Sequence, residues 1–375
     1  MRKWICGIAV LALVLVWAVP ILAQPAMMNN AILLGWDGCH RDHVKNLLKE
    51  GKLPNLQKLI GEGKLVDVDV TSGATDTKAG WSQILTGYRP EITGVYSNGR
   101  YRDIPAGYSV FERLRAQYGA ERIATVATIG KSGHCGEINA PFKKKVDEIK
   151  EKPKTDVKDP GFKKTTLGKV IEENGVKYLV FEGSPYYTMH HNVDEWHFGL
   201  KEDERVCAKA LEMLDKYGKK PFFFFVHCAE VDHSGHGHGE KSKEYDDAII
   251  SGDKVLGKLV EKLKQLGVYE KTLIYVTADH GFDIDGKGHG YAPYVFLGTN
   301  DKKVMRDGTR ADITPTILAG LGVDMSKITP PLDGEPLSKP ATKPVEKAKP
   351  RGERKPKGDA KQATAKPKKR AAVAK

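Results

Sequence analysis

Cysteine is sparse in this chain and never closely spaced. Cys6, Cys39, Cys135, Cys207 and Cys228 form no Cys-x-x-Cys pair, which argues against a structural zinc cluster. Were the chain exported, some of the four beyond Cys6 could pair, although Cys228, at the end of an apolar run, reads more simply as a small core residue. No internal repeat is present, and 375 residues with 40% hydrophobic content can form one large α/β domain or two smaller ones. Aromatic residues are missing altogether after Lys339, where the chain is built of Lys, Ala and Pro. Such a stretch cannot bury enough apolar surface to offset its ordering entropy, so residues 338–375 are expected to form a disordered basic tail.

The tail also explains the charge. Of the formal +12, a net +11 lies between Lys339 and Lys375, where 14 Lys or Arg face 3 acids, and Arg2 and Lys3 carry two more. The body is therefore close to neutral, and specific nucleic-acid recognition is not indicated. By charge alone the tail could contact anionic envelope polymers, membranes or nucleic acid, or it could serve only as a solvated segment.

Met1-Arg2-Lys3 precedes an apolar run from Trp4 to Ala23 that contains Pro20 and small residues and is followed by no basic stop-transfer cluster. This is the pattern of an export signal over residues 1–23, which would leave the protein periplasmic or extracellular. A retained membrane anchor is the alternative, since about 20 apolar residues can span a bilayer.

Between these ends, β-rich apolar runs alternate with helical patterns. Strands are expected at 31–36, 65–70, 122–128, 177–181, 221–227, 272–278 and 294–297, and helices at 43–49, 55–60, 110–118, 203–216, 243–266 and 312–321. The alternation predicts an α/β catalytic domain over 30–337, with a largely parallel central sheet and helices on both faces. The Lys-, Asp- and Pro-rich segment 141–164 reads as an exposed insertion.

Ligands of parallel sheets bind beyond the carboxyl ends of the strands. There this sequence places Asp37, then Asp232 and His236 within a His-rich stretch, then Asp279-His280, with His289 nine residues on. Carboxylates and imidazoles are what zinc takes in catalytic sites. Each alone has a plain alternative, an N-cap for the acids or a solvated loop for residues 233–238; three strand ends supplying both types point to a metal centre. Thr77, ahead of a short helical stretch, could cap that helix or offer its hydroxyl where backbone N–H groups favour an anion.

These residues resemble the alkaline phosphatase superfamily, and within it the nucleotide pyrophosphatase/phosphodiesterase group. The likeness runs through Gly35-Trp36-Asp37-Gly38, Thr77 ten residues before Gly87, and Asn98 twenty-one after Thr77. It continues with Asp232 and His236, Asp279-His280-Gly281, His289-Gly290 and the helix from Asp312 to Leu318, spanning about residues 31–325. The resemblance implies a two-zinc hydrolase of small phosphate esters. One zinc would be held by Asp232, His236 and His289, and the other by Asp37, Asp279, His280 and Thr77. Thr77 would form a phosphoryl-enzyme, and Asn98 would hold a nonbridging oxygen.

Sulfatases of this fold need a Cys or Ser followed by Pro and Arg, whereas Thr77-Lys78-Ala79-Gly80 stands here, which disfavours sulfatase chemistry of the usual kind and leaves a sulfate or phosphonate ester hydrolase as the rival on the same scaffold. Some Thr-nucleophile monoesterases carry Lys-x-Arg after a central strand. Lys131 fits that pattern while Gly133 stands where Arg would be, so diester against monoester stays open, and Lys131 could equally be a surface lysine. The polar stretch Tyr186 to His197 could line a leaving-group pocket or be an exposed loop. A rival of another class is a non-catalytic envelope-binding protein acting through its tail. Oligomeric state is not indicated.

Overall fold

The computed structural model describes residues 30–148 and 170–348, so the expected export signal and the end of the basic tail fall outside them. The chain runs β1 (Asn30–Trp36), α1 (Arg41–Lys49), α2 (Pro54–Glu62), β2 (Lys64–Asp69), α3 (Thr77–Thr86), α4 (Pro90–Thr93), α5 (Val110–Tyr118), β3 (Ala124–Ile129) and β4 (Phe142–Lys145). After the undescribed stretch come β5 (Val170–Glu173), β6 (Val176–Phe181), α6 (Tyr187–His190), β7 (Glu195–His197), α7 (Asp203–Tyr217) and β8 (Phe222–Cys228). The chain then continues through α8 (Glu230–His238), α9 (Lys243–Gln265), β9 (Thr272–Thr277), β10 (Tyr294–Thr299), β11 (Gly308–Thr309) and α10 (Ile313–Gly320).

Eight strands form one sheet in the order β11-β2-β10-β9-β1-β8-β3-β7. Every pairing in it is parallel except the two made by β10, which runs antiparallel to β2 and β9. The central strands β1, β3 and β8 are buried at every residue, as strands covered on both faces must be. Four successive phenylalanines, Phe222 to Phe225, supply the middle of the core, each worth about 1.5–3 kcal/mol for its removal from water. Among the described residues, no helix is long and apolar enough to cross a membrane.

Two expectations need correction. The run at 177–181 does not join the main sheet; as β6 it is the middle of a separate antiparallel sheet, β4-β6-β5. Lys177 faces Glu172, and Lys143 to Lys145 line β4, so this sheet is too charged to be buried on both faces. The His-rich stretch at 233–238 is not a loop but the body of α8. The described part of the 141–164 insertion is exposed, as expected.

The start of the basic tail, residues 338–348, lies against the body, where Glu346 pairs with Arg89 at 2.7 Å and Lys347 with Asp307 at 3.1 Å. Here a tail acid meets a body cation and a tail cation meets a body acid. Cys39, Cys135, Cys207 and Cys228 are all buried free thiols.

Candidate active site

Five segments bring their ends to the carboxyl edge of the sheet: β1 with Asp37, β3 with Lys131, β8 with α8 and its Asp232, β9 with Asp279 and His280, and the β2-to-α3 connection with Thr77. Thr77 is the first residue of α3, but it is not the cap. Asp76 is the N-cap, its Oδ1 accepting from Ala79 N at 3.2 Å, which leaves the Thr77 hydroxyl free of a capping role. Asp76 Oδ2 accepts from Asn98 N at 2.8 Å, and Asn98 Oδ1 accepts from Lys78 N, also at 2.8 Å, so Asn98 is fixed beside the nucleophile candidate.

Lys131 is not a surface lysine. Its buried ammonium lies 2.7 Å from Asp37 Oδ1, 2.8 Å from Asp232 Oδ2 and 2.9 Å from Thr77 Oγ1. These three contacts use all three of its N–H donors. Asp37 also accepts at Oδ2 from Trp81 Nε1 at 3.1 Å and contacts His227 Nε2 at 2.8 Å. Asp279 Oδ1 accepts from Gly38 N at 3.1 Å. Helix α3 crowds this acid: a methyl group at Gly80 would come within 2.5 Å of the Asp279 Cβ.

The ligand-type atoms fall into two groups. One atom each from Asp37, Asp279 and His280 lie within 4.8 Å of one another, and so do atoms of Asp232, His280 and His289. His236, expected with Asp232 and His289, stands at the rim with its Nε2 3.5 Å from Asp232 Oδ1. His280 was expected in only one group but is central to both.

Divalent cations fit these residues. Asp232 Oδ1, Asp279 Oδ2 and His280 Nε2 are buried with no hydrogen-bond partner, a state that costs about 1–3 kcal/mol per group unless another ligand satisfies it. The imidazoles are turned to suit. Nδ1 of His236 meets Lys287 O at 2.9 Å, Nδ1 of His280 meets Gly281 O at 2.9 Å, and Nδ1 of His289 meets Thr75 O at 2.6 Å. A carbonyl only accepts, so each Nδ1 carries the hydrogen and each Nε2 keeps its lone pair for a metal.

Electrostatics agree, for three buried carboxylates face one buried ammonium. Burial, then the charge of Asp37, pushes Asp279 well above the usual carboxylate range. Burial raises Asp37 too, but Lys131 and then the His227 hydrogen bond outweigh it and hold Asp37 well below that range. His289 is pushed down to about 4 by burial and the nearby His280, so it is neutral at ordinary pH, as a ligand must be.

Two partners of Asp37 had no role in the sequence reading. His227 is the last residue of the expected strand 221–227, and Trp81 shows only as the fourth residue after Thr77. The stretch from Tyr186 to His197 partners the flank of α5 and β3 rather than the acids: Asn192 bonds Glu112 at 3.0 Å, and Asp194 Oδ2 accepts from Thr125 N at 2.8 Å.

The family model for type I phosphodiesterase / nucleotide pyrophosphatase matches residues 31–318. Over 116 residues the chain is 32% identical to ectonucleotide pyrophosphatase/phosphodiesterase family member 1 from Mus musculus, covering 30% of this chain and 13% of that protein. Over 261 residues it is 23% identical to the bis(5'-adenosyl)-triphosphatase ENPP4 of Homo sapiens, covering 69% and 49% respectively. The chain thus spans less than half the length of these curated relatives. A solved alkaline phosphatase superfamily protein from Vibrio parahaemolyticus shares the fold, with a TM-score of 0.50 at 19% identity over 84% of this chain and 71% of that one.

Proposed function

Because this chain belongs to the type I phosphodiesterase/nucleotide pyrophosphatase family, we propose that it hydrolyses phosphate esters through Thr77 with two divalent cations, zinc being the expected metal. Asp232, His236 and His289 would hold one ion, and Asp37, Asp279, His280 and Thr77 the other, with His280 near enough to serve either. Bound there, the cations supply Lewis acidity that lowers a hydroxyl pKa and neutralises charge at phosphorus.

The remaining chemistry belongs to the chain. Thr77 Oγ1 gives its proton to solvent and attacks phosphorus in line, forming a phosphothreonine as the bond to the leaving oxygen breaks and that oxygen takes a proton from solvent; water then attacks the phosphorus, the Oγ1–P bond breaks, and a proton from that water restores the hydroxyl. Lys131 donates to Thr77 Oγ1 and steadies charge on the oxygen as the threonine leaves. Asn98 Oδ1 is held by Lys78 N, and Nδ2, which meets His134 Nδ1 at 3.4 Å, keeps a second N–H for a nonbridging oxygen. The observation that carries this reading is the meeting of a threonine hydroxyl free of any capping role with partnerless, ligand-type atoms from the end of β9 and from α8. The apolar run to Ala23 supports export of the enzyme.

Metal analysis of the purified protein, with a panel of aryl phosphate, nucleotide phosphodiester, dinucleoside polyphosphate, phosphonate and sulfate esters, tests it. Two ions per chain and a best substrate among the phosphate esters are expected, with turnover lost on chelation. Turnover that persists in Thr77→Ala, or a sulfate ester as best substrate, would overturn the reading.

A further inference from the structure

Arg310 is wholly buried, and among the described residues no carboxylate lies in salt-bridge contact with it. Its terminal nitrogens donate to backbone carbonyls. Nη1 reaches Asp279 O at 2.8 Å and Ala74 O at 3.2 Å; Nη2 reaches Ser72 O at 2.7 Å and Ala74 O at 3.2 Å. Taking a guanidinium out of water against neutral acceptors is unfavourable, and its Nε is left without a partner. Burial lowers its pKa to about 10, opposed by the charges of Asp279 and then Asp76, so it remains a cation at neutral pH.

The partners give this costly placement a purpose. Ser72 and Ala74 lie on the connection that leads through Thr75 and Asp76 to Thr77, and Asp279 follows β9. Thr75 is tied in turn to the third ligand segment, because its carbonyl accepts from His289 Nδ1 at 2.6 Å. One rigid, planar group thus spans two segments that are far apart in sequence and must meet with sub-ångström fidelity for in-line displacement. An apolar side chain could fill the same volume but would take this donor from the carbonyls of Ala74 and Asp279 and leave Ser72 O with Gln83 Nε2 at 3.0 Å.

We infer that Arg310 is a positioning residue that sets the separation between the Thr77 turn and the ligand Asp279 and places a second buried positive charge beside the acid cluster. This rests on the reading of Thr77 as nucleophile and Asp279 as ligand. It adds a residue that touches neither substrate nor metal.

The test uses the full-length protein, in wild-type form and as Arg310→Met and Arg310→Lys, with zinc affinity measured by indicator competition and kcat and KM measured on the best phosphate ester. Wild-type protein that neither binds zinc nor turns over would fail the underlying reading. With that reading standing, folded Arg310→Met should lose about 10- to 100-fold in zinc affinity and a similar factor in kcat, with KM within about threefold. Arg310→Lys, keeping the charge but not the fork, should recover part of the affinity and less of kcat. If Arg310→Met does not fold, the lysine variant decides. Zinc affinity and kcat within twofold of wild type in whichever variant folds would overturn the inference.

Discussion

Lys131 Nζ donates to Thr77 Oγ1 across 2.9 Å while its other contacts go to the carboxylates of Asp37 and Asp232. The threonine oxygen is therefore an acceptor toward a cation. Thr77→Ala should lower kcat by at least about 10³-fold, and Lys131→Met by about 10²-fold. Arg in place of Lys131 should not rescue it, because a planar fork cannot replace three donors on a point charge. Steady-state kinetics on the best phosphate ester check all three; wild-type rates in Thr77→Ala would remove the nucleophile.

Removing metal should destabilise the fold. Three buried carboxylates against one ammonium repel each other, and ligand-type atoms are left unsatisfied. Prolonged dialysis against chelator should lower Tm by at least about 5 °C, with zinc restoring it. An unchanged melting curve after verified metal loss would contradict the assignment.

Gly35 stands where a methyl group would come within 2.3 Å of the Trp81 ring, and that ring holds Asp37 through Nε1. Gly35→Ala should cost about 1–3 kcal/mol in stability by overpacking. It should also weaken zinc binding, since Trp81 must move. A denaturant titration beside a zinc competition assay reads both effects, and a stability loss with unaltered zinc binding would separate Trp81 from the site.

Asp203 caps α8, the helix that carries Asp232 and His236, by accepting from Ala229 N at 2.9 Å and Glu230 N at 3.3 Å. Burial, and then the charge of Glu230, raises its carboxyl to about 7. A raised acid stabilises the fold fully below its unfolded value near 4 and loses that contribution as pH rises through about 7, a swing of roughly 4 kcal/mol at most. Asp203→Asn keeps an acceptor and removes the titration, so its stability relative to wild type should improve from about pH 4 to about pH 7 and level off above that. A difference that does not change with pH in unfolding titrations would refute this.

Much of the site was legible because its chemistry sits at strand ends. Apolar β-branched and aromatic runs mark the strands, and the polar residues that follow must emerge at one edge of a parallel sheet, so Asp37, Asp232, Asp279 and His280 are legible in the sequence as candidates. His236 was legible as the fourth residue after Asp232, though α8 itself was not, because Gly235 and Gly237 weaken its helical signal. The separate sheet around β6 was missed because a six-residue run does not say which strand it pairs with.

Residue order and type alone determined the α/β class, the near-neutral body with its basic end, and the set of acids and imidazoles available to cations, since these follow from composition and periodicity. Tertiary structure alone decided that Asp76 rather than Thr77 caps α3, that Lys131 is buried among the acids, and that Trp81, His227 and Arg310 brace the site. Those are contacts between residues that lie far apart in the chain or that look alike in sequence. Which donor reaches which acceptor depends on packing that no local pattern encodes.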